Sequence, residues 1–280
     1  MKSKIIQENM IPSYKTMLLE AEKSTATIEK YLYYVQQFVT RYAGCKIEKN
    51  LVLEYKAELG ETYAPASANA ALAGINGFLR FLGREDCCVK PFKVQKKIYC
   101  PEEKELTRKE YFRLIEAARE KNSERLVLLL ESICATGIRV SELKYITAEA
   151  VKQGKAVVTC KGKTRTIFLP VGLQRKLCRY IQKQKIQIGP VFVTRTGKPM
   201  NRSNIWREMK GLCRRAEVSP SKVFPHSLRH LFARCFYSLD HDVAKLADIL
   251  GHSNINTTRI YIVTTGIEHR RQLERLRLVI

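Results

Sequence analysis

Residues 225–261 read PHSLRHLFARCFYSLDHDVAKLADILGHSNINTTRIY. The spacing of apolar residues predicts helices over 227–238 and 243–250. Chemistry-bearing side chains punctuate them: His226 just before the first, Arg229 and His230 within it, His252 just after Leu250-Gly251, and Tyr261 nine residues later. His226 and His230 stand four residues apart, the spacing of a zinc helix, but the metalloprotease pattern needs Glu directly after the first His. Ser227 stands there instead, so the pair carries no zinc signature.

Upstream, Leu126–Ala135 reads as a buried helix ending at Thr136-Gly137. The run Thr136-Gly137-Ile138-Arg139-Val140-Ser141-Glu142-Leu143 puts Arg139 at a turn-to-helix junction, with Glu142 one turn later on the same face. Residues 155–160 (KAVVTC) and 164–169 (TRTIFL) read as strands of a β-hairpin turning at Lys161-Gly162-Lys163, with Lys163 in its tip. Further helices are expected over 172–186 and 201–216.

Thr107 and Glu110 form a capping box, with Leu106 and Tyr111 at the staple positions, so a new domain begins here. Before it lies a basic, proline-marked linker, 96–106, following Lys90-Pro91 and including Cys100-Pro101. The first 95 residues read as a small helical module. One helix, after a Ser24 cap, carries Ile28, Tyr31, Leu32, Val35, Phe38, Val39 and Tyr42 on its apolar face; another starts at Pro65 and runs through Leu72, Ile75, Leu79 and Leu82. Small residues in the second (Ala68, Ala71, Ala73, Gly74, Gly77) suit close helix packing. The expected fold is mainly α with a small antiparallel β-sheet, in two domains covering 1–95 and 107–280.

The chain carries 50 Lys+Arg against 27 Asp+Glu, a formal net charge of +23, and this calls for a polyanionic partner. Residues 151–234 hold 20 basic and two acidic side chains, Glu208 and Glu217. Such a stretch repels itself on folding unless a polyanion binds it. No lipidation motif points to a membrane, and the longest apolar run, Leu126 to Leu130, is far too short to span one. Nine cysteines, an odd count with no C-x-x-C pair and no signal peptide, fit reduced thiols in a cytoplasmic protein.

Nucleotide-binding loops of the G-x-x-x-x-G-K-[S/T] and G-x-G-x-x-G types are absent, and the acidic residues form no cluster suited to Mg²⁺. A basic protein lacking these can still act on a phosphodiester if its own side chains neutralise the transition state. Arginine forks and imidazole N–H groups suit the equatorial oxygens. A nucleophile, a base and an acid for the departing 5′ oxygen complete the requirement.

At this constellation the sequence resembles the tyrosine recombinase (phage integrase) family, of the simple-site type. The match runs in order through T-G-x-R-x-x-E-L, the hairpin lysine, H-x-L-R-H, L-G-H and the Tyr after T-T-x-x-Y. Val191-Phe192 and Gly197-Lys198-Pro199 add to it. The resemblance covers 105–265 closely and the N-terminal module loosely. It implies that Arg139 and Arg229 clamp a scissile phosphate and that His252 donates to a non-bridging oxygen. His226 would accept the Tyr261 proton, Lys163 would protonate the 5′ oxygen, and Glu142 would hold Arg139 or His226. A tyrosine hydroxyl ordinarily titrates near ~10, which explains the need for cations and a base. Leu231 stands where the family often has a hydroxyl residue, and Asp240-His241 replaces a glycine turn.

The resemblance further implies a metal-free, ATP-free recombinase with no cofactor, forming a covalent 3′-phosphotyrosine. It would act as a homo-tetramer on double-stranded DNA carrying inverted-repeat half-sites, with room for accessory DNA-bending proteins. A helical core-binding domain and a catalytic domain would encircle the duplex, with no arm-binding domain ahead of them. Residues 266–280, with Leu273, Leu276 and Ile280 on one face, would mediate assembly, the alternative being a helix folded back on its own domain. The rivals are a type IB topoisomerase, told apart by relaxed rather than joined products, and a catalytically silent DNA-binding protein of the same fold.

Overall fold

The computed structural model describes residues 5–94, 105–160, 163–261 and 274–275, with Cys160 and Lys163 described by backbone only. The chain divides into two compact units, Met1–Lys96 and Lys97–Ile280. Most of the expected linker and assembly helix, with Lys161 and Gly162, lie outside the described residues.

Unit one contains α1 (Met10–Glu20), α2 (Thr25–Arg41), α3 (Lys49–Thr62) and α4 (Pro65–Phe81). Its core joins Tyr14, Val35, Phe38, Val52, Leu72, Ile75 and Phe78. Sequence periodicity found α2 and α4 but missed α1 and α3. Ser24 occupies the cap position of α2, yet its hydroxyl bonds Thr27 Oγ1 (2.8 Å) rather than a main-chain N–H. The small residues of α4 serve packing: a Cβ on Gly74 would lie 3.3 Å from Tyr31 Cα, and one on Gly77 2.6 Å from the Tyr14 hydroxyl. Asn76 and Asn69, two turns apart, each pair their amide with the main chain of Val89 and Phe92, holding the segment after α4 along the helix.

Unit two begins with α5 (Arg108–Glu120), whose Thr107–Glu110 capping box forms as expected. Next come α6 (Glu124–Thr136), a 3₁₀ turn over Val140–Tyr145, α7 (Ala148–Gln153), and strands β1 (Lys155–Cys160) and β2 (Lys163–Phe168). The strands pair antiparallel with Cys160 opposite Lys163. Lys163 is therefore the first residue of β2 and not a tip residue, a correction to the expected turn. Then follow α8 (Val171–Lys183), α9 (Arg202–Lys210), α10 (Cys213–Ala216), α11 (Pro225–Asp240), α12 (Val243–Leu250) and α13 (Ile255–Arg259). The helix expected over 201–216 is interrupted at Gly211-Leu212, and the one expected over 172–186 ends at Lys183.

The core of unit two is one cluster that joins α6 (Leu129, Leu130, Ile133), α8 (Leu177), α9 (Ile205, Met209) and α11 (Leu228), and includes Val158 and Ile167 of the hairpin. Gly137 ends α6 in the left-handed region (φ 64°), where a Cβ would strike Phe232. His241 ends α11 at φ 53°, so it takes the backbone conformation that a glycine turn would supply. The mainly α fold with a small two-stranded sheet is the one expected. No described helix is long and apolar enough to cross a membrane.

Candidate active site

The candidate side chains come from four places in unit two: the turn after α6, strand β2, the first half of α11, and the segment from the end of α12 to Tyr261. Pro225 opens α11, so His226, Arg229 and His230 fall within its first two turns. Gly251 ends α12 in the left-handed region, and the His252 N–H then returns to Ala247 O (2.9 Å).

Arg229 is 1% exposed. Its guanidinium donates to Gly137 O and to Leu250 O (2.6 Å), and Nη2 also lies 3.1 Å from His252 Nε2. A guanidinium can only donate, so Nε2 of His252 is the acceptor there. The neutral ring then carries its proton on Nδ1, which donates to Thr258 Oγ1 (2.8 Å). Burial first, then Arg229 and Arg139, hold the His252 pKa down to about 4, consistent with a neutral ring. Arg229 itself falls to about 10 through burial and the nearby Arg139, and stays cationic at neutral pH. Its Nε–H is buried with no acceptor among the described residues.

Tyr261 is 6% exposed, and its hydroxyl lies 3.4 Å from His226 Nε2. Three imidazole rings surround it, with centroids 4.2 Å (His230), 5.4 Å (His226) and 5.4 Å (His252) from its own. Burial and the charges of Arg229, Arg202 and Arg139 push His226 below the ordinary histidine pKa; burial and His226 push His230 to about 4. The cluster is thus a set of neutral bases at neutral pH. The His230 ring packs against that of Tyr261, the two planes tilted by 33°.

Arg139 caps the Val140–Tyr145 turn: its N–H donates to Glu142 Oε2 (2.9 Å), Nη1 to Glu142 Oε1 (3.0 Å) and Nη2 to Gly251 O (3.2 Å). Burial alone would raise the Glu142 carboxyl, but the Arg139 N–H and the Arg165 and Arg139 guanidiniums outweigh it and hold the group ionised. Glu142 thus holds Arg139 as expected, but its other partner is Arg165 (2.6 Å), a residue that sequence reasoning missed, and not His226. An open cleft of about 730 Å³ is lined by Arg139, Glu142, Thr164, Arg165, His252 and neighbouring residues. Among the described residues, no group of three or more His, Cys, Asp or Glu side chains is gathered to hold a metal. The seven cysteines with described side chains are free thiols.

The model of the phage integrase family matches residues 104–265, more than half of the chain. The chain belongs to the phage integrase family. It is accordingly a site-specific DNA recombinase of the tyrosine class. It is similar along its whole length to tyrosine recombinase XerA of Pyrococcus furiosus, 28% identical over 290 residues, covering 100% of this chain and 98% of that protein. XerA of Thermococcus kodakarensis is 29% identical over 276 residues, covering 95% and 94%. Among solved structures, a lambda integrase dimer bound to a COC′ core site shares the fold at TM-score 0.74 and 16% identity, over 91% of this chain and 95% of that one. XerH bound to its difH substrate aligns at TM-score 0.70 and 18% identity, over 99% and 91%.

Proposed function

We propose that this recombinase cleaves and rejoins DNA through a covalent 3′-phosphotyrosine at Tyr261, without metal or ATP. The observation that carries the reading is the Tyr261 hydroxyl set against a neutral His226 and beside the Arg229–His252 pair. In the first step Tyr261 Oη attacks the scissile phosphorus, its proton passes to His226, and the P–O5′ bond breaks as Lys163 protonates the leaving oxygen. Arg139 and Arg229 neutralise the phosphoryl oxygens, and the unpaired Arg229 Nε–H gains an acceptor when phosphate arrives. The phosphate anion also favours a protonated His252, whose Nε2 then donates to a non-bridging oxygen. Because the diester energy is stored in the phosphotyrosine, attack by a second 5′ hydroxyl reverses the chemistry with no energy source.

The partner is duplex DNA with inverted-repeat half-sites, bound by the basic 151–234 stretch, and four copies complete an integration, excision or inversion event in the cytoplasm. Lambda integrase, a structural neighbour, has been captured as a tetramer on a Holliday junction, which supports that assembly. The test is covalent trapping on a nicked suicide substrate, with and without excess EDTA. The wild-type chain yields a protein–DNA adduct in both conditions, and Tyr261→Phe binds the DNA equally but yields none. An adduct from Tyr261→Phe, or one that needs Mg²⁺ restored, overturns the reading.

A further inference from the structure

Three consecutive main-chain carbonyls at the end of α12 each accept from a different arginine. Ile249 O accepts from Arg165 Nη1, Leu250 O from Arg229 Nη2 and Gly251 O from Arg139 Nη2. A helix C-terminus carries partial negative charge, so the three cations suit it. Two of them belong to the proposed phosphate clamp. The third, Arg165, has no role there.

We propose that Arg165 is a positioning residue for strand cleavage: by bridging Glu142 and the Ile249 carbonyl, it fixes Arg139 and His252 relative to each other. The inference rests on the phosphoryl-transfer reading above. Arg165 Nη2 donates to Glu142 Oε2 (2.6 Å) while Nη1 takes the Ile249 carbonyl, so both ends of its fork are committed to protein acceptors. Its side chain is only 14% exposed, against 33% for Arg139. Arg139 therefore has a face free for a ligand, whereas Arg165 serves as a brace.

The brace joins three elements through one side chain. Strand β2 supplies Arg165, opposite the buried Val158. The 3₁₀ turn supplies Glu142, which is 2% exposed and also holds Arg139. The end of α12 supplies the Ile249 carbonyl, three residues before His252. Gly251 gives this arrangement its room: a Cβ there would lie 2.5 Å from Arg165 Cδ, and the φ of +65° is one that side-chain-bearing residues rarely adopt. Lysine cannot replace the bridge, because a single ammonium does not span two acceptors set apart by a planar fork.

The test uses the full chain, with DNA affinity from fluorescence anisotropy and the single-turnover rate of adduct formation on the suicide substrate. Arg165→Ala is expected to bind within threefold of wild type and to form adduct about 100-fold more slowly, the scale of a misplaced clamp. Arg165→Lys, which keeps the charge and one contact, should recover about tenfold of that loss. The double variant Arg165→Ala/Glu142→Gln should be no slower than the worse single variant, since both act through one network. An Arg165→Ala rate within threefold of wild type, multiplying defects in the double variant, or a loss confined to affinity each overturns the positioning role. If Arg165→Ala fails to fold by circular dichroism, Arg165→Lys with and without Glu142→Gln carries the same comparison. Absence of any wild-type adduct would instead bring down the phosphoryl-transfer reading itself.

Discussion

Tyr261 Oη and His226 Nε2 stand 3.4 Å apart, and the histidine is held neutral by burial and by Arg229, Arg202 and Arg139. A neutral imidazole can take the tyrosine proton, and a protonated one cannot. Because the His226 pKa is depressed, the protonated form becomes the major one only below the ordinary histidine value of about 6.5. The rate of adduct formation under subsaturating conditions should therefore show an acid limb whose midpoint lies below pH 6.5. His226→Gln keeps a polar side chain but removes the base, and should slow adduct formation by about 10²–10⁴-fold at pH 7.5. A single-turnover pH profile checks both; an acid limb centred above pH 7 would contradict the neutral assignment.

His252 should change protonation when DNA binds. In the free chain its Nε2 accepts from Arg229 and its Nδ1–H faces Thr258, with a pKa near about 4. Imidazole nitrogen NMR at pH 7 should report the Nδ1–H tautomer for free protein and a proton on Nε2 in the complex of Tyr261→Phe with its DNA. An Nε2–H tautomer already present in free protein would refute the assignment.

Lys163, the first residue of β2, is the proposed acid for the 5′ oxygen. Sulfur at the 5′-bridging position leaves without protonation. Lys163→Ala should therefore slow cleavage of the oxygen substrate at least 100-fold more than that of the sulfur substrate, within the range of general-acid effects. Lys161→Ala run in parallel tests the other hairpin lysine: rescue by sulfur there and not at position 163 would move the role.

Gly137 should be among the most stability-sensitive positions of unit two. It sits at φ 64°, a Cβ there would strike the Phe232 ring, and its carbonyl accepts from Arg229. Gly137→Ala is expected to cost about 2–4 kcal/mol, since backbone strain and overpacking both apply. Gly197 shares a positive φ (76°) but opens to free space, so Gly197→Ala should cost only about 1 kcal/mol. Thermal melts of the two variants side by side measure the difference; equal melting temperatures would contradict the packing argument.

Local signals carried most of what the sequence revealed. The Thr107–Glu110 box, the Gly137 helix stop and the Arg139–Glu142 turn are short-range patterns, and each takes the expected form. Helices α1 and α3 escaped notice because each buries only a short stripe, Tyr14 and Leu18 in α1 and Val52, Tyr55 and Leu59 in α3, too few to set a clear period. The hairpin was legible, but its register slipped by one residue at the turn, where Lys-Gly-Lys divides in more than one way. Arg165 could not be found this way: its partner Ile249 lies 84 residues along the chain, and a lone arginine in a basic strand looks like any other.

The burial of Arg229 bears on how an inactive relative could arise. Active-site residues are usually a burden on stability, so losing them relieves strain. Here the reverse holds: deleting the Arg229 side chain would strand the Gly137 and Leu250 carbonyls, each at about 1–3 kcal/mol. Drift toward a silent DNA-binding descendant would meet a folding barrier at the arginine. At Tyr261 a phenylalanine keeps the ring among its three imidazoles and removes only the hydroxyl. Loss of activity without loss of the protein thus has an open route through the tyrosine and a closed one through Arg229.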